Sequence, residues 1–387
     1  MLLLTQTPRT QQPPTHATTT EDNQFLHIRV LLKEIHSTEL VKLLFSCSEG
    51  IRIQVVENNK HKDYPSSVAI EVHNGDIFID GKKLTGNPDI SIQALGHCTA
   101  IDDRCYQGTI YLVHHNDKIL LINKLLIEDY VCAVLRTESW PGWPLEVNKA
   151  FAIASRSYVM AYLIKARASN KPYHVKNTNT HQTYQGFHTN QILRQAVDET
   201  KGIVLSYNHQ PIIAMFDCCC GGLIPADIED INAADAPYLA RTYACTFCKK
   251  CKIFAWKKEF DSTTFIKRLQ QEIPQLKSIT KIAVSRYDKA GITKEITLHD
   301  GKAIYKLSGK KLYTLFSEIK SFCFSVTKKK NTIMVDGKGF GHHRGICQWG
   351  AKQMVDEGWD YKKILQFYYP GTKFMQIKNR NKGHNDG

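Results

Sequence analysis

Near residue 124 the hydrophobic pattern of this 387-residue chain changes period, and that switch limits what it can fold into. From about residue 25 to 123, apolar residues alternate or come in short runs, at 26–32, 51–56, 68–72, 76–79 and 109–113. The pairs Asn74-Gly75 and Asp80-Gly81 supply turn chemistry between them, so these runs read as strands. From about 127 to 169 the spacing becomes helical. A mixed region follows, then a second strand-rich stretch over 281–335, a Gly-rich turn and a helical run over 348–357. Strands and helices are segregated rather than alternating, which predicts an α+β fold. The expected division is a disordered, Thr-, Gln- and Pro-rich lead-in over 1–24, a β-rich N-terminal subdomain over 25–123, a larger unit carrying the chemistry over 124–375, and a polar tail over 376–387.

Charge narrows the partners. Fifty-one Lys and Arg against 37 Asp and Glu leave a net +14, a surface that attracts nucleic acid, acidic lipid or an anionic wall polymer. The basic residues cluster over 249–258 and at Lys328, Lys329 and Lys330. Neither cluster is laid out as a single-strand binding groove, and no helix-turn-helix or RRM signature is present, so nucleic acid is not the expected partner. Twelve cysteines are too few for a disulfide scaffold and do not fix a compartment. No stretch reaches 18 uninterrupted apolar residues. The opening MLLLTQTPRTQQPP lacks both a basic n-region and a full apolar h-region, and does not read as a signal peptide.

The segment from Ile127 to Glu138 is the most informative locally. On a helix, Ile127, Val131, Val134 and Leu135 form one apolar stripe, while Glu128 and Asp129 point away from it. Glu138, eleven residues after Ile127, returns to the middle of that stripe. A carboxyl aimed where a hydrophobe is expected has its charged form disfavoured and its pKa raised, the condition a general acid needs. The alternative is a helix that stops short, leaving Glu138 to solvent or to a cap.

A stiff turn follows, Trp140-Pro141-Gly142-Trp143-Pro144. Pro144 fits the first position of a second helix, which runs from Leu145 to about Ala168. Two indoles beside an acid suit a sugar, whose apolar faces pack on rings; equally, both can fill the core between two helices. Ala150, Phe151, Ala154 and Tyr158 make the packing face of the second helix. Arg156 lies outside it and is expected to face ligand or water.

These residues carry a family resemblance. Glu138-Ser139-Trp140-Pro141-Gly142-Trp143-Pro144-Leu145-Glu146, continuing through Lys149-Ala150-Phe151-Ala152-Ile153-Ala154-Ser155-Arg156-Ser157-Tyr158, resembles the core signature of the SpoIID/LytB family. Tyr106-Gln107-Gly108 and the run from Asn123 to Tyr130 are similar to its lead-in. His181-Gln182-Thr183-Tyr184-Gln185-Gly186 stands where the family has a Gln-x-Tyr-x-Gly element. The closing Gly339-Phe340-Gly341-His342-His343-Arg344-Gly345-Ile346-Cys347-Gln348-Trp349-Gly350-Ala351 also falls in place. Roughly residues 100 to 375 are covered.

The resemblance implies a peptidoglycan lytic transglycosylase of the cell envelope, acting on glycan strands stripped of stem peptides. In that chemistry one carboxyl protonates the oxygen between N-acetylmuramic acid and N-acetylglucosamine. It then takes the proton of the muramic 6-hydroxyl as a 1,6-anhydro ring closes. Glu138 matches the family's catalytic position and Arg156 the family arginine, expected to orient Glu138 or substrate. Trp140, Trp143, Tyr184, His342 and Gln348 are the expected substrate contacts. Glu146 is a weaker catalytic candidate, because acids are favoured in a first helical turn anyway. No cofactor is required by this chemistry.

The chain departs from the pattern at His343-Arg344, where the family usually has Gly, while Gly339, Gly341 and Gly345 suit tight turns. Some members bind zinc through Cys and His before the Gln-x-Tyr element; here His174 and His181 remain with no cysteine between them. Elsewhere Cys245, Cys248 and Cys251 have ligand-like spacing, with Cys218, Cys219 and Cys220 as supplements. Structural zinc, disulfides and free thiols all stay open. Two rival readings stand beside the enzyme. One is a non-catalytic glycan binder that stimulates a wall amidase. The other is a basic nucleic-acid binder with a Cys-rich zinc module, which gives no reason for the glutamate, Trp-Pro turn and arginine. Nothing in the sequence fixes the oligomeric state.

Overall fold

The computed structural model describes residues 26–140 and 142–377. The expected lead-in over 1–24 lies outside them, as does the expected tail apart from Gln376 and Ile377. The fold is mixed α+β, and its N-terminal part is built from strands, as the alternation predicts.

Two antiparallel sheets form that part. In the larger one, His27–His36 pairs with Lys118–Leu126, which pairs in turn with Thr109–His115; Ile90–Ala94, Ile51–Val55 and His61–Tyr64 continue the sheet. The smaller one centres on Val41–Ser46 and Ser67–His73. The expected turns hold: Asn74, Gly75, Asp80 and Gly81 all have positive φ, the geometry a two-residue hairpin requires. Inward side chains of both sheets, among them Val30, Phe45, Ile70, Ile92 and Ile110, join one core. A disulfide joins Cys98 to Cys105 across a short hairpin.

The strand Lys118–Leu126 runs directly into helix α1, Ile127–Glu138. Its acidic first turn, Glu128 and Asp129, suits the positive end of the helix dipole. The four stripe residues are all buried. Helix α2, Leu145–Ala168, has the expected span, with Pro144 as its N-cap rather than its first helical residue. Helix α2 packs on α1 and on α3, Gln191–Glu199. The side-chain oxygen of Asn190 caps α3 by accepting the Leu193 N–H.

The second strand-rich stretch begins earlier than expected, at Ala255–Asp261, and is interrupted by helices α4, Ser262–Leu269, and α5, Gly309–Leu315. It has a core of its own around Phe265, Phe316, Ile296 and Val335. Helices α6, Gln348–Asp356, and α7, Tyr361–Tyr368, return to the first core. A short parallel pair, Phe216–Asp217 with Ile346–Cys347, sets where α6 starts.

Candidate active site

Glu138 is the last residue of α1, and the turn after it is stapled rather than loose. The Ser139 N–H donates to the Leu135 carbonyl (2.9 Å) and closes the helix. The Ser139 hydroxyl donates to Asn148 Oδ1 (2.6 Å), and Asn148 Nδ2 donates to the Trp143 carbonyl (3.1 Å). A buried Asn on α2 thereby fixes the path of the Trp-Pro turn. Such a turn cannot swing its acid freely.

The carboxylate of Glu138 is half-buried and accepts the Thr183 N–H at 2.6 Å. Burial raises its pKa, and the Thr183 hydrogen bonds oppose part of that rise. Burial, rather than a neighbouring charge, is the largest cause of the rise. Gln348 reaches the same residue from the other side, its Nε2 donating to the Glu138 carbonyl at 2.8 Å. Thr183 was not singled out by the sequence, because its contribution is a backbone N–H that no residue pattern announces.

The tryptophans divide between surface and support. Trp140 is 50% exposed and stacks on Trp143 at 5.9 Å, and Trp143 meets the edge of Trp349 at 5.3 Å. Three indoles therefore form one run of ring contacts that starts two residues after the acid, with Trp140 outermost. An exposed ring backed by a second ring holds a fixed apolar face to solvent.

Other expected contacts lie elsewhere. Tyr184 is 1% exposed, stacked on Tyr130 at 5.5 Å, and its hydroxyl donates to Asn123 Oδ1 at 2.7 Å. It offers no face to a ligand, which corrects the expectation that it binds substrate. Its place is structural. The Tyr184→Phe variant leaves the buried Asn123 oxygen without that donor, and is expected to lose about 1–3 kcal/mol of stability in denaturant unfolding.

Arg156 is also corrected. It is 0% exposed and forks onto Glu128, with Nη2 at 2.6 Å and Nε at 3.1 Å, while Nη1 donates to the Ile203 carbonyl at 3.0 Å. Glu128 in turn accepts the Gly202 N–H at 3.0 Å. Glu128 is in the first turn of α1 and Glu138 at its end, about 15 Å along the axis. The arginine holds α1, α2 and the chain after α3 together instead of meeting Glu138 or solvent. Glu146 is likewise taken up, by Lys149 (2.8 Å) and the Tyr361 N–H (3.0 Å).

In the closing motif Gly339, Gly341 and Gly345 all have positive φ, and so does His343. His343 thus occupies a left-handed position that glycine takes more readily. It is buried, with its N–H on Asp217 Oδ2 (2.6 Å) and its ring Nδ1 against the Cys220 carbonyl (2.9 Å). His342 is half-buried, accepts the Arg344 N–H on Nδ1 (3.1 Å), and has its pKa pushed down to about 4 by burial, so it is neutral at neutral pH. Of the two histidines before the Gln-x-Tyr element, His174 accepts the Arg29 N–H on Nδ1 (3.0 Å). Of the three spaced cysteines, Cys245 and Cys248 come together with Cys220 and Cys347, whereas Cys251 turns to Cys219 at 3.5 Å.

Comparison with known proteins places the chain among relatives of one family. The family model described as SpoIID, stage II sporulation protein, matches residues 115–207. An uncharacterized protein of Brachyspira hyodysenteriae is 32% identical over 280 residues, covering 72% of this chain and 74% of that one. Stage II sporulation protein D of Bacillus subtilis is 26% identical, over 66% of this chain and 76% of its own. The amidase enhancer of Bacillus subtilis is 27% identical, over 62% of this chain but 39% of its own length.

Proposed function

The chain belongs to the SpoIID family, and from that premise we propose that it is a lytic transglycosylase of peptidoglycan with Glu138 as its single acid and base. The observation that carries the reading is the setting of that carboxyl. It sits at a stapled helix end, raised in pKa by burial, accepting one backbone N–H and flanked by an exposed indole.

Ordinary glycosidases place two carboxyls roughly 5–10 Å apart, one for the leaving oxygen and one for water or the sugar carbon. A lone tuned acid suits a different closure. Protonated Glu138 gives its proton to the oxygen between the muramic and glucosamine rings as that bond breaks. The resulting carboxylate takes the proton of the muramic 6-hydroxyl, whose oxygen closes on the same ring's anomeric carbon. The proton count returns to its starting value and no water is consumed. Trp140 supplies a ring face for the sugar, and Gln348 holds the glutamate main chain in place.

Two further assignments rest on the same premise. Its substrate is glycan strands freed of stem peptides, and its place is the cell envelope, where an oxidising environment suits the Cys98–Cys105 disulfide. No helix among the described residues is long and apolar enough to cross a membrane. The likeness to an amidase enhancer favours a second reading, in which the protein binds strands and stimulates a wall amidase. Digestion of peptide-free strands by the purified protein, with products weighed by mass spectrometry, separates them. Release of 1,6-anhydromuramic ends is expected. Hydrated reducing ends would overturn the anhydro closure, and bound but uncut strands would favour the amidase partner.

The raised pKa predicts a pH profile. The acid form starts the reaction, so kcat/KM is full below the folded pKa of Glu138 and falls as pH rises through it. That falling limb is expected above the ordinary glutamate value of about 4.3. A limb at or below that value in a kcat/KM profile would contradict a buried acid. Trp140→Ala is expected to raise KM while leaving the falling limb where it is.

A further inference from the structure

Four cysteines from three separated stretches of chain meet in the core behind the active-site wall. Cys220 follows the strand Phe216–Asp217, Cys245 and Cys248 lie on one turn, and Cys347 ends its short strand and caps α6. Their sulfurs all lie within 4.8 Å of one another, and all four residues are buried. A tetrahedral zinc thiolate, with Zn–S about 2.3 Å, spaces its sulfurs about 3.8 Å apart. The Cys220 and Cys248 sulfurs are 3.6 Å apart. Clusters of several iron atoms need a wider cage than this, because more than one metal must fit between the thiolates.

The surroundings are those of thiolates. Cys347 Sγ accepts the N–H groups of Cys220 and Gly350, both at 3.3 Å, and stands at the N-terminus of a nine-residue helix. The Tyr368 hydroxyl lies 3.2 Å from Cys245 Sγ. Donors aimed at sulfur stabilise the charged form and orient it for a metal. Gly350 is required by the same crowding, since a Cβ there would come within 2.9 Å of Cys245 Sγ. Arg241, buried with Nε and Nη2 unpaired among the described residues, brings its positive charge to 5.6 Å from the centre of the Tyr368 ring.

We propose that Cys220, Cys245, Cys248 and Cys347 bind one zinc ion as a closed tetrathiolate. With four protein ligands no position is open to water, so the ion is structural. Loading releases the thiol protons to solvent and changes no oxidation state. Its reach to the chemistry is short. Cys347 precedes Gln348, which holds the Glu138 carbonyl, and Trp349, which packs on Trp143. The ion fixes the start of α6 and with it one wall of the cleft; that consequence rests on the Glu138 reading, but the metal site does not.

The test is the metal content of the purified full-length chain, prepared with reductant and without chelator. About one zinc per chain is expected, lost in Cys248→Ser and in Cys347→Ser and kept in Cys323→Ser and Cys251→Ser. Should the serine variants be insoluble, cobalt(II) exchange into the wild type gives a second readout. Intense sulfur-to-cobalt charge-transfer absorption is expected, and its absence sinks the proposal. A metal-free chain after zinc supplementation also overturns it, as does iron in place of zinc. So does an intact mass showing these cysteines joined as disulfides. None of these readouts depends on glycan cleavage, so a catalytically silent protein that carries zinc refutes the enzyme reading and leaves the site standing.

Discussion

Replacing Glu138 by Gln lowers the rate of strand cleavage by about 10²- to 10⁴-fold, the range a positioned acid–base contributes, while strand binding is retained. The amide keeps the volume of the acid and an oxygen that can still accept the Thr183 N–H. It cannot give up a proton at neutral pH, so the step it removes is the first one. The same substitution is expected to stabilise the protein. Glu138 has a raised folded pKa, so the folded state holds this proton more tightly than the unfolded chain does. Its contribution to stability is therefore full below the unfolded glutamate range and is lost as pH rises above it. A neutral amide has no such loss. Two measurements check this: anhydro-end release by mass spectrometry, and thermal unfolding near pH 7. A variant that cuts like the wild type would remove Glu138 from the mechanism.

Arg156→Ala is expected to cost about 3–5 kcal/mol of stability, because it leaves Glu128 mostly buried without its cation. The pair is fully desolvated on the arginine side and 16% exposed on the glutamate side. Three other bonds fail with it or lose their anchor: Arg156 to the Ile203 and Val197 carbonyls, and the Gly202 N–H to Glu128. Arg156→Lys keeps the charge but loses the fork, and should fall between wild type and Ala in urea unfolding. Under conditions where both variants are folded, the pH limb assigned to Glu138 should not move. A shifted limb would mean that the arginine senses the acid after all.

Much of the local structure was legible in the chain. The stripe Ile127, Val131, Val134 and Leu135 set the span and buried face of α1. Alternation and the Asn-Gly and Asp-Gly pairs set the N-terminal hairpins. These signals are short-range, and backbone sterics with a single buried face suffice to read them. Arg156 was misread from its place outside a helix stripe and Tyr184 from the family resemblance, and one physical reason covers both. Polar atoms on a helix or loop look outward in a pattern, and only the packed molecule reveals that Glu128 and Asn123 were waiting inside.

What the sequence by itself determined is the α+β order of elements, the helix that ends on Glu138 and the aromatic turn behind it. Only the tertiary structure decided which partners that acid keeps. Thr183 lies 45 residues away and acts through a main-chain N–H that carries no residue code, while Gln348 lies 210 residues away and donates its side-chain amide to the Glu138 carbonyl. The four thiols were likewise decided there, with Cys347 brought to Cys220 across 127 residues. Cys251, three residues from Cys248, was left out of the group. Spacing along a chain predicts neighbours only within a turn or a hairpin. Beyond that, the packing of the core sets the distance.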